Sequence, residues 1–494
     1  MKRHIGTIIA LLIIICFTRI PFATKCICKH DSVNFALGIR EFDIARHQPH
    51  PPGYPVYIGL AKFLNLFIKD VNKDLIILSI IFSVGAVILI YLLGKEMFNY
   101  KCGLASAIFL IISPLFWAYG ELALSYTADA FASVLLGYLS YKLLKGEKKY
   151  VWGLSIVLGL TGGIRQTLLF FFLPLWVRGL ISLKSGRELI KQIFVLVITC
   201  LFWVVPLLIL SGGFSGYSSS SYELYRGSVF TQLMALKTIA YAGCSSLWGL
   251  GASILALFVS IIKLNKVISP EKLKESLTFF IVWCGPAFLF NFMFYTGKPG
   301  HILVFFPCFI LLSCIFVYNQ WNIIEKVLVG SIVSVNCLLF FMARPLSAGE
   351  RLMGMSTARI KNFANFWTLD CSNKGLRQKE KVKKTLDIVK EEFSPEKSVI
   401  CSASGGHFQP YIPWRVAHYY LPEFSFLEIG DKAQIIELKP DIETIIWLID
   451  ESDLKKYKNI ELNKKLGNAS MAGIYFSSIK DTLTLGPTKF YRGE

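Results

Sequence analysis

Two groups of residues in the chain have types and spacings suited to chemistry. The first is Asp31-Ser32, followed by His50-Pro51-Pro52-Gly53-Tyr54-Pro55, in the polar stretch after an initial apolar run. A carboxylate such as Asp31 can act as general base, taking the proton of a hydroxyl as it attacks an anomeric carbon. The plainer reading is a cap, because Asp-Ser is a good start signal for the helix expected to run through Arg40. Asp43, in Arg40-Glu41-Phe42-Asp43, offers the same chemistry but reads more simply as a solvated face. The second group is scattered along the chain: Glu121, Asp129, Arg165, Lys298 and His301. Glu121 and Asp129 could supply a second acid. Arg165, a permanent cation with a fork suited to phosphate, could join Lys298 and His301 in neutralising a phosphate leaving group. Each has a bland counterpart: a wetted hairpin for Glu121, a helix-end anchor for Arg165, a cap for Lys298 and His301.

The elements that must position these residues follow from composition. The chain has 494 residues, 54% of them hydrophobic, and a mean hydropathy of +0.53. That excludes a soluble globular protein and points to many membrane spans. About 20 apolar residues cross a bilayer as a helix. Runs of that kind fall at 5–23, 75–94, 103–119, 126–144, 151–164, 167–183, 191–210, 237–262, 277–295, 301–319 and 324–342, about eleven in all. The net charge of +19 then reads as Lys and Arg holding cytoplasmic loops against anionic lipid, and not as a nucleic-acid surface. Lys142/Lys145/Lys148/Lys149 and Lys263/Lys266/Lys272/Lys274 belong to one set of alternate loops; the opposite set holds only Arg165, Arg226 and Lys298. The N-terminus is therefore expected inside, and the first loop and the tail outside. On that topology the two groups share one external rim. Ionisable groups near lipid are costly and usually mark a functional path.

His50–Pro55 has its own logic. Prolines 51 and 52 fix φ and stiffen the chain, Gly53 permits a sharp turn, and Pro55 suits the first turn of an interfacial helix reaching about Ile68. His50 could bind a phosphate or a sugar hydroxyl. Most of the 12 cysteines sit in apolar segments as small hydrophobes, and Cys26-Ile27-Cys28 is spaced too tightly for an easy disulfide. No Cys/His zinc spacing, DxD motif or Gly-rich phosphate loop is present, so no metal ligand is assigned, although a divalent metal stays open. After residue 345 the pattern changes to a charged helix at 379–390 and strands at 398–404 and 442–449, with an aromatic and proline-rich stretch at 407–422. This predicts a membrane domain over 1–345 and a small external α/β domain over 346–494.

Asp-Ser early in the first external loop, then His-Pro-Pro-Gly-Tyr-Pro opening an amphipathic helix, resembles the protein O-mannosyltransferase-like branch of the GT-C glycosyltransferases. The Ala118–Tyr126 stretch resembles that branch's next acidic motif, with Leu122-Ala123 departing from its usual wording. The Tyr-rich 414–422 segment looks like the family's external tail. The resemblance implies a polytopic α-helical fold of GT-C type and an enzyme that takes a sugar, mannose being one choice, from a polyprenyl-phosphate carrier. The acceptor would be a hydroxyl of a protein, glycolipid or polymer outside the cytoplasm of a plasma membrane. It implies Asp31 as acceptor base, Glu121 as second acid, carrier lipid held by the first loop's helices, and phosphate held by external cations. The rival readings are a transporter or flippase with charges along a solute path, a polysaccharide ligase using the 211–236 loop, and an assembly partner without activity.

Overall fold

The computed structural model describes residues 2–228, 236–267, 269–294, 298–319, 321–344, 371–403, 414–429, 434–450, 464–469, 472–479, 482–485 and 488–492. The expected boundary at 345–346, Thr296-Gly297 and residues 407–413 lie outside them. The chain divides into two units.

The first unit takes in residues 1–24, 34–343 and 371–373 and is a helical bundle. Its helices are α1 (Lys2–Arg19), α2 (His30–Arg40, whose first turn groups with the second unit) and α3 (Pro55–Ile68). Next come α4 (Val71–Met97), α5 (Tyr100–Ile112), α6 (Pro114–Gly120) and α7 (Tyr126–Leu144). Then follow α8 (Val151–Ile164), α9 (Gln166–Ile181), α10 (Gly186–Leu210) and α11 (Gly213–Ser228). The last are α12 (Leu236–Leu250), α13 (Ser253–Val267), α14 (Pro270–Met293), α15 (Phe306–Ser313) and α16 (Ile323–Met342).

Each of the eleven apolar runs is helical over most of its described residues, but they are not eleven straight rods. Five described helices are long and apolar enough to cross a membrane, and seven if two bent pairs each count as one span. The pairs are α5–α6, bent by 64° at Ser113-Pro114, and α12–α13, bent by 93° at Gly251-Ala252. Pro114 cannot donate to the helix ladder, so Ser113 caps α6 instead, its hydroxyl accepting from the Phe116 amide. The core runs through α4, which packs on α5 and α7, while α8 packs on α9 and α10. α3 is buried along Tyr57, Ile58 and Ala61 and exposes Leu60, Phe63, Leu66 and Phe67, the split face of an interfacial helix.

The second unit takes in residues 25–33, 344–370 and 374–494. Among its described residues, helices Asn373–Glu392 and Trp414–Tyr420 accompany two sheets. The five-stranded sheet has the order β2 (Ser425–Ile429), β1 (Ser398–Ala403), β4 (Thr444–Asp450), β6 (Ala472–Ser478), β5 (Lys464–Ala469), with β1 parallel to both neighbours and β6 antiparallel to β4 and β5. A three-stranded sheet joins β3 (Gln434–Leu438), β8 (Thr488–Arg492) and β7 (Thr482–Leu485). Val399, Cys401, Ile445, Trp447 and Phe490 form the core between them. The expected helix and two strands are present, within a larger sheet system.

Candidate active site

The site is built at one end of the first unit, around the single residue that interrupts α8 and α9. Arg165 has extended backbone (φ −155°, ψ 121°), which ends one helix and starts the next. Its side chain is 8% exposed. Nη1 lies 3.0 Å from Oδ2 of Asp129, a fully buried carboxylate in the first turn of α7, where the helix dipole favours negative charge. Nη1 also donates to Nδ1 of His301 at 2.8 Å, and Nη2 donates to the Ser125 hydroxyl at 3.2 Å. A guanidinium has only donors, so Nδ1 of His301 must accept. The imidazole is thereby held as the tautomer with its proton on Nε2, a second donor.

Aromatic rings enclose the cation. The Arg165 guanidinium carbon stands 4.8 Å from the ring centre of Tyr126 and 5.9 Å from that of Tyr54. His301 meets Tyr126 edge-on at 5.3 Å, and Tyr119 does so at 4.8 Å while accepting a hydrogen bond from the Gly300 amide. A Cβ on Gly300 would come within 2.5 Å of the Tyr126 ring, so only glycine permits this approach. Lys298, three residues before His301, opens the same 3-10 turn (Pro299–Val304) with its side chain exposed.

The His50–Pro55 corner brings Tyr54 to this cation. Its Gln48–Pro49 and Pro51–Pro52 bonds are cis. Gly53 has φ +98°, and a Cβ there would lie 2.7 Å from Leu207 and 2.8 Å from Ile44. Tyr54 is left-handed (φ 50°), and Pro55 opens α3, as its position in the motif predicts. Leu207 and Ile44 belong with Trp203 to the apolar cluster beneath the corner. His50 is 9% exposed, packs against Phe35 and Tyr54 at 5.5 and 5.1 Å, and has its Nδ1 3.4 Å from the Asn34 amide. Gln166 donates to the Tyr217 hydroxyl at 2.8 Å, tying α9 to α11 beside the corner.

The structure thus brings together Arg165, Asp129, His301 and Tyr54, with His50 one ring away. Glu121 goes elsewhere. Fully buried at the end of α6, its carboxylate accepts from Trp117 Nε1 at 2.7 Å and interacts electrostatically with Arg19. Its backbone carbonyl accepts from both the amide and the hydroxyl of Thr24. Arg19 is itself fully buried, bonded to the Ile111 carbonyl at 2.7 Å and stacked near Trp117 at 5.1 Å. Asp31 lies in the first turn of α2, in the stretch grouped with the second unit, 14% exposed and 3.6 Å from His30. Asp43 pairs with Arg46 at 2.5 Å, and this hydrogen bond holds its carboxyl below the usual range.

Sequence reasoning did not single out Arg19, Ser125 or Tyr126. A lone cation inside an otherwise apolar first span was the available signal for Arg19. Among the described residues no three His, Cys, Asp or Glu side chains gather as a metal site.

Residues 49–210 match the model of the family described as dolichyl-phosphate-mannose-protein mannosyltransferase. This stretch contains the corner, Glu121, Asp129 and Arg165. The fold is similar to that of ArnT from Cupriavidus metallidurans bound to undecaprenyl phosphate, with TM-score 0.58 and 11% identity over 96% of this chain and 97% of that one. The apo form of the same protein matches with TM-score 0.58 and 9% identity over the same shares. The oligosaccharyltransferase of Archaeoglobus fulgidus in its apo form has a TM-score of 0.48 and 12% identity over 86% of this chain and 64% of that one. No curated protein sequence matches. The chain is a polytopic membrane protein with the GT-C fold.

Proposed function

We propose that the protein is a membrane glycosyltransferase that moves a sugar, mannose being the first choice, from a polyprenyl-phosphate donor to an acceptor hydroxyl on the extracytoplasmic face. The observation that carries this reading is the Arg165 cluster: a guanidinium and an Nε2–H of fixed tautomer, walled by tyrosines, at the corner that starts a lipid-facing helix. Such a site suits a phosphate whose lipid tail stays in the bilayer. The family description of residues 49–210 and the undecaprenyl phosphate bound by ArnT support the same donor class.

In the proposed reaction the acceptor oxygen attacks the anomeric carbon and the bond from that carbon to the phosphate oxygen breaks. Electrons leave on the lipid phosphate, and the acceptor proton passes to Asp31. Arg165, His301 and Lys298 balance the charge that grows on the phosphate. Asp129 positions Arg165, and Tyr54 walls the pocket from the corner. A single base and direct displacement predict inversion at the anomeric carbon. Glu121 as second acid keeps its sequence argument, and its bond to Trp117 favours a positioning role. The proposed topology puts the N-terminus in the cytoplasm and the second unit outside, on the positive bias of alternate loops. Protein, glycolipid and polymer hydroxyls are the acceptor classes.

The test is transfer of labelled sugar from a panel of polyprenyl-phosphate sugars to envelope acceptors by the purified protein in lipid nanodiscs. Transfer that is lost in Asp31→Asn and in the charge-neutral double variant Arg165→Met/Asp129→Asn supports the reading. Transfer unchanged in either variant, or no label moved from any donor, overturns it.

A further inference from the structure

A cavity of about 470 Å³ lies at the opposite end of the bundle from the Arg165 cluster, where α4, α7 and α9 approach their ends and α14 begins. α9 starts directly after Arg165, and at 1.5 Å per residue Arg178 lies roughly 20 Å along it. Buried Met97, Tyr141 and Phe279 give the cavity an apolar lining. Its charged residues are not equivalent. Lys145 pairs with Glu275 at 2.8 Å, and Glu96 pairs with Lys142 at 3.3 Å. Lys272 has no carboxylate partner among the described residues. Its Nζ donates to the Tyr318 hydroxyl at 3.2 Å and stands 5.0 and 5.9 Å from the ring centres of Tyr318 and Phe98. Arg178 makes no side-chain hydrogen bond or ion pair among the described residues. Neither does Glu271, exposed in the first turn of α14. Two uncommitted cations therefore share the cavity with one uncommitted carboxylate, which leaves a single positive charge in excess. Apolar surface borders it: Val177 and Ile181 on α9, and Leu277 and Ile281 on α14, are exposed on two helices that pack together.

We propose that this cavity binds the headgroup of an anionic phospholipid from the leaflet opposite the Arg165 cluster. The planar fork of Arg178 and the ammonium of Lys272 take the phosphodiester oxygens. The acyl chains lie along the exposed apolar residues of α9 and α14, which a free anion would not use. Basic pockets between membrane helices suit such headgroups, because attraction to the phosphate adds to burial of the chains. The excess of one positive charge matches a phosphodiester without an ammonium; a zwitterionic headgroup brings no net charge to balance it. This binding does not rest on the transferase reading.

The measurement titrates the full-length protein in non-ionic detergent with dioctanoyl-phosphatidylglycerol or dioctanoyl-phosphatidylcholine and counts bound lipid by native mass spectrometry. Phosphatidylglycerol is expected to be held at least about three-fold more tightly. The double variant Arg178→Gln/Lys272→Gln is expected to weaken it by about ten-fold or more, through loss of two charge-assisted hydrogen-bonding groups. Lys184→Gln/Arg187→Gln removes the same charge from exposed residues outside the cavity and is expected to leave the affinity unchanged. Glu271→Gln is expected to tighten binding about two- to five-fold, a gain that damage to the fold cannot produce. Equal affinity for the two lipids, no loss in the cavity variant, or an equal loss in both double variants overturns the proposal. Displacement of phosphatidylglycerol by equimolar inorganic phosphate would make this a site for the free anion and overturn the lipid assignment.

Discussion

Replacing Arg165 by methionine removes the cation while keeping most of the side chain's length. Asp129 is then left as a fully buried carboxylate without the ion pair it makes at 3.0 Å. Breaking one side of such a pair costs about 3–5 kcal/mol, because the remaining charge stays desolvated. The single variant therefore confounds loss of fold with loss of function. The double variant Arg165→Met/Asp129→Asn removes both charges, and replacing both members of a buried pair is often close to neutral. Its unfolding midpoint in detergent is expected near that of the native protein, well above the single variant's. Sugar transfer should not recover with it: without a cation on the phosphate, kcat/KM is expected to stay at least about 100-fold down, or ~2.7 kcal/mol of transition-state stabilisation. The assay pairs thermal unfolding with initial rates of label transfer from the polyprenyl-phosphate donor. A double variant that regains both stability and transfer would show that Arg165 only holds α7 to α8, and the phosphate role would fall.

Other outcomes can be checked in the same preparation. Gly53→Ala places a methyl group within 2.8 Å of Leu207 and Ile44 at φ +98°, and is expected to lower stability by about 1–3 kcal/mol in a denaturation series; an unchanged midpoint would mean the corner gives way easily. Arg19→Met strands Glu121 and Trp117 at the end of α6 and should destabilise the bundle, with partial rescue by a second Glu121→Gln change. If Glu121 were a working acid, transfer would be abolished in Glu121→Gln and would not return in the double variant that regains stability. Asp43 is lowered by its Arg46 partner, so the stability it contributes is present above the ordinary carboxylate range and is lost as pH falls through its own depressed value. Arg46→Ala should accordingly weaken the protein at neutral pH and leave its stability in strong acid unchanged; an equal loss at both would exclude the pair as the cause.

The sequence carried depth better than direction. Asp129, Arg165 and His301 were placed near one another by counting residues from apolar runs, and their side chains meet. Glu121 was placed at the same rim, yet its side chain leaves α6 toward Arg19 and Trp117, because the turn of a short helix decides which way a group points and no apolar pattern reports it. The His50–Pro55 corner was legible because glycine and proline restrict the backbone locally, and α3 begins at Pro55 as they require. The 93° bend between α12 and α13 was not, since hydropathy is continuous across it and the cause is Gly251, left-handed and packed on Asn336. In the second unit β4 was legible from its unbroken Ile445-Ile446-Trp447-Leu448-Ile449 run, whereas β5, with Lys464, Lys465, Gly467 and Asn468, carries no apolar pattern and β7 is only four residues long.

The lipid-facing side of α3 ties the corner to something outside the protein. Leu60, Phe63, Leu66 and Phe67 seek a fixed level in the bilayer, and Pro55 joins them to Tyr54 without a flexible link. A thicker or thinner membrane therefore pulls on the loop that walls Arg165, at a cost of fractions of a kcal/mol per Å of mismatch. On the proposed interfacial placement of α3, membrane thickness is expected to act as a mechanical input to the corner beside Arg165.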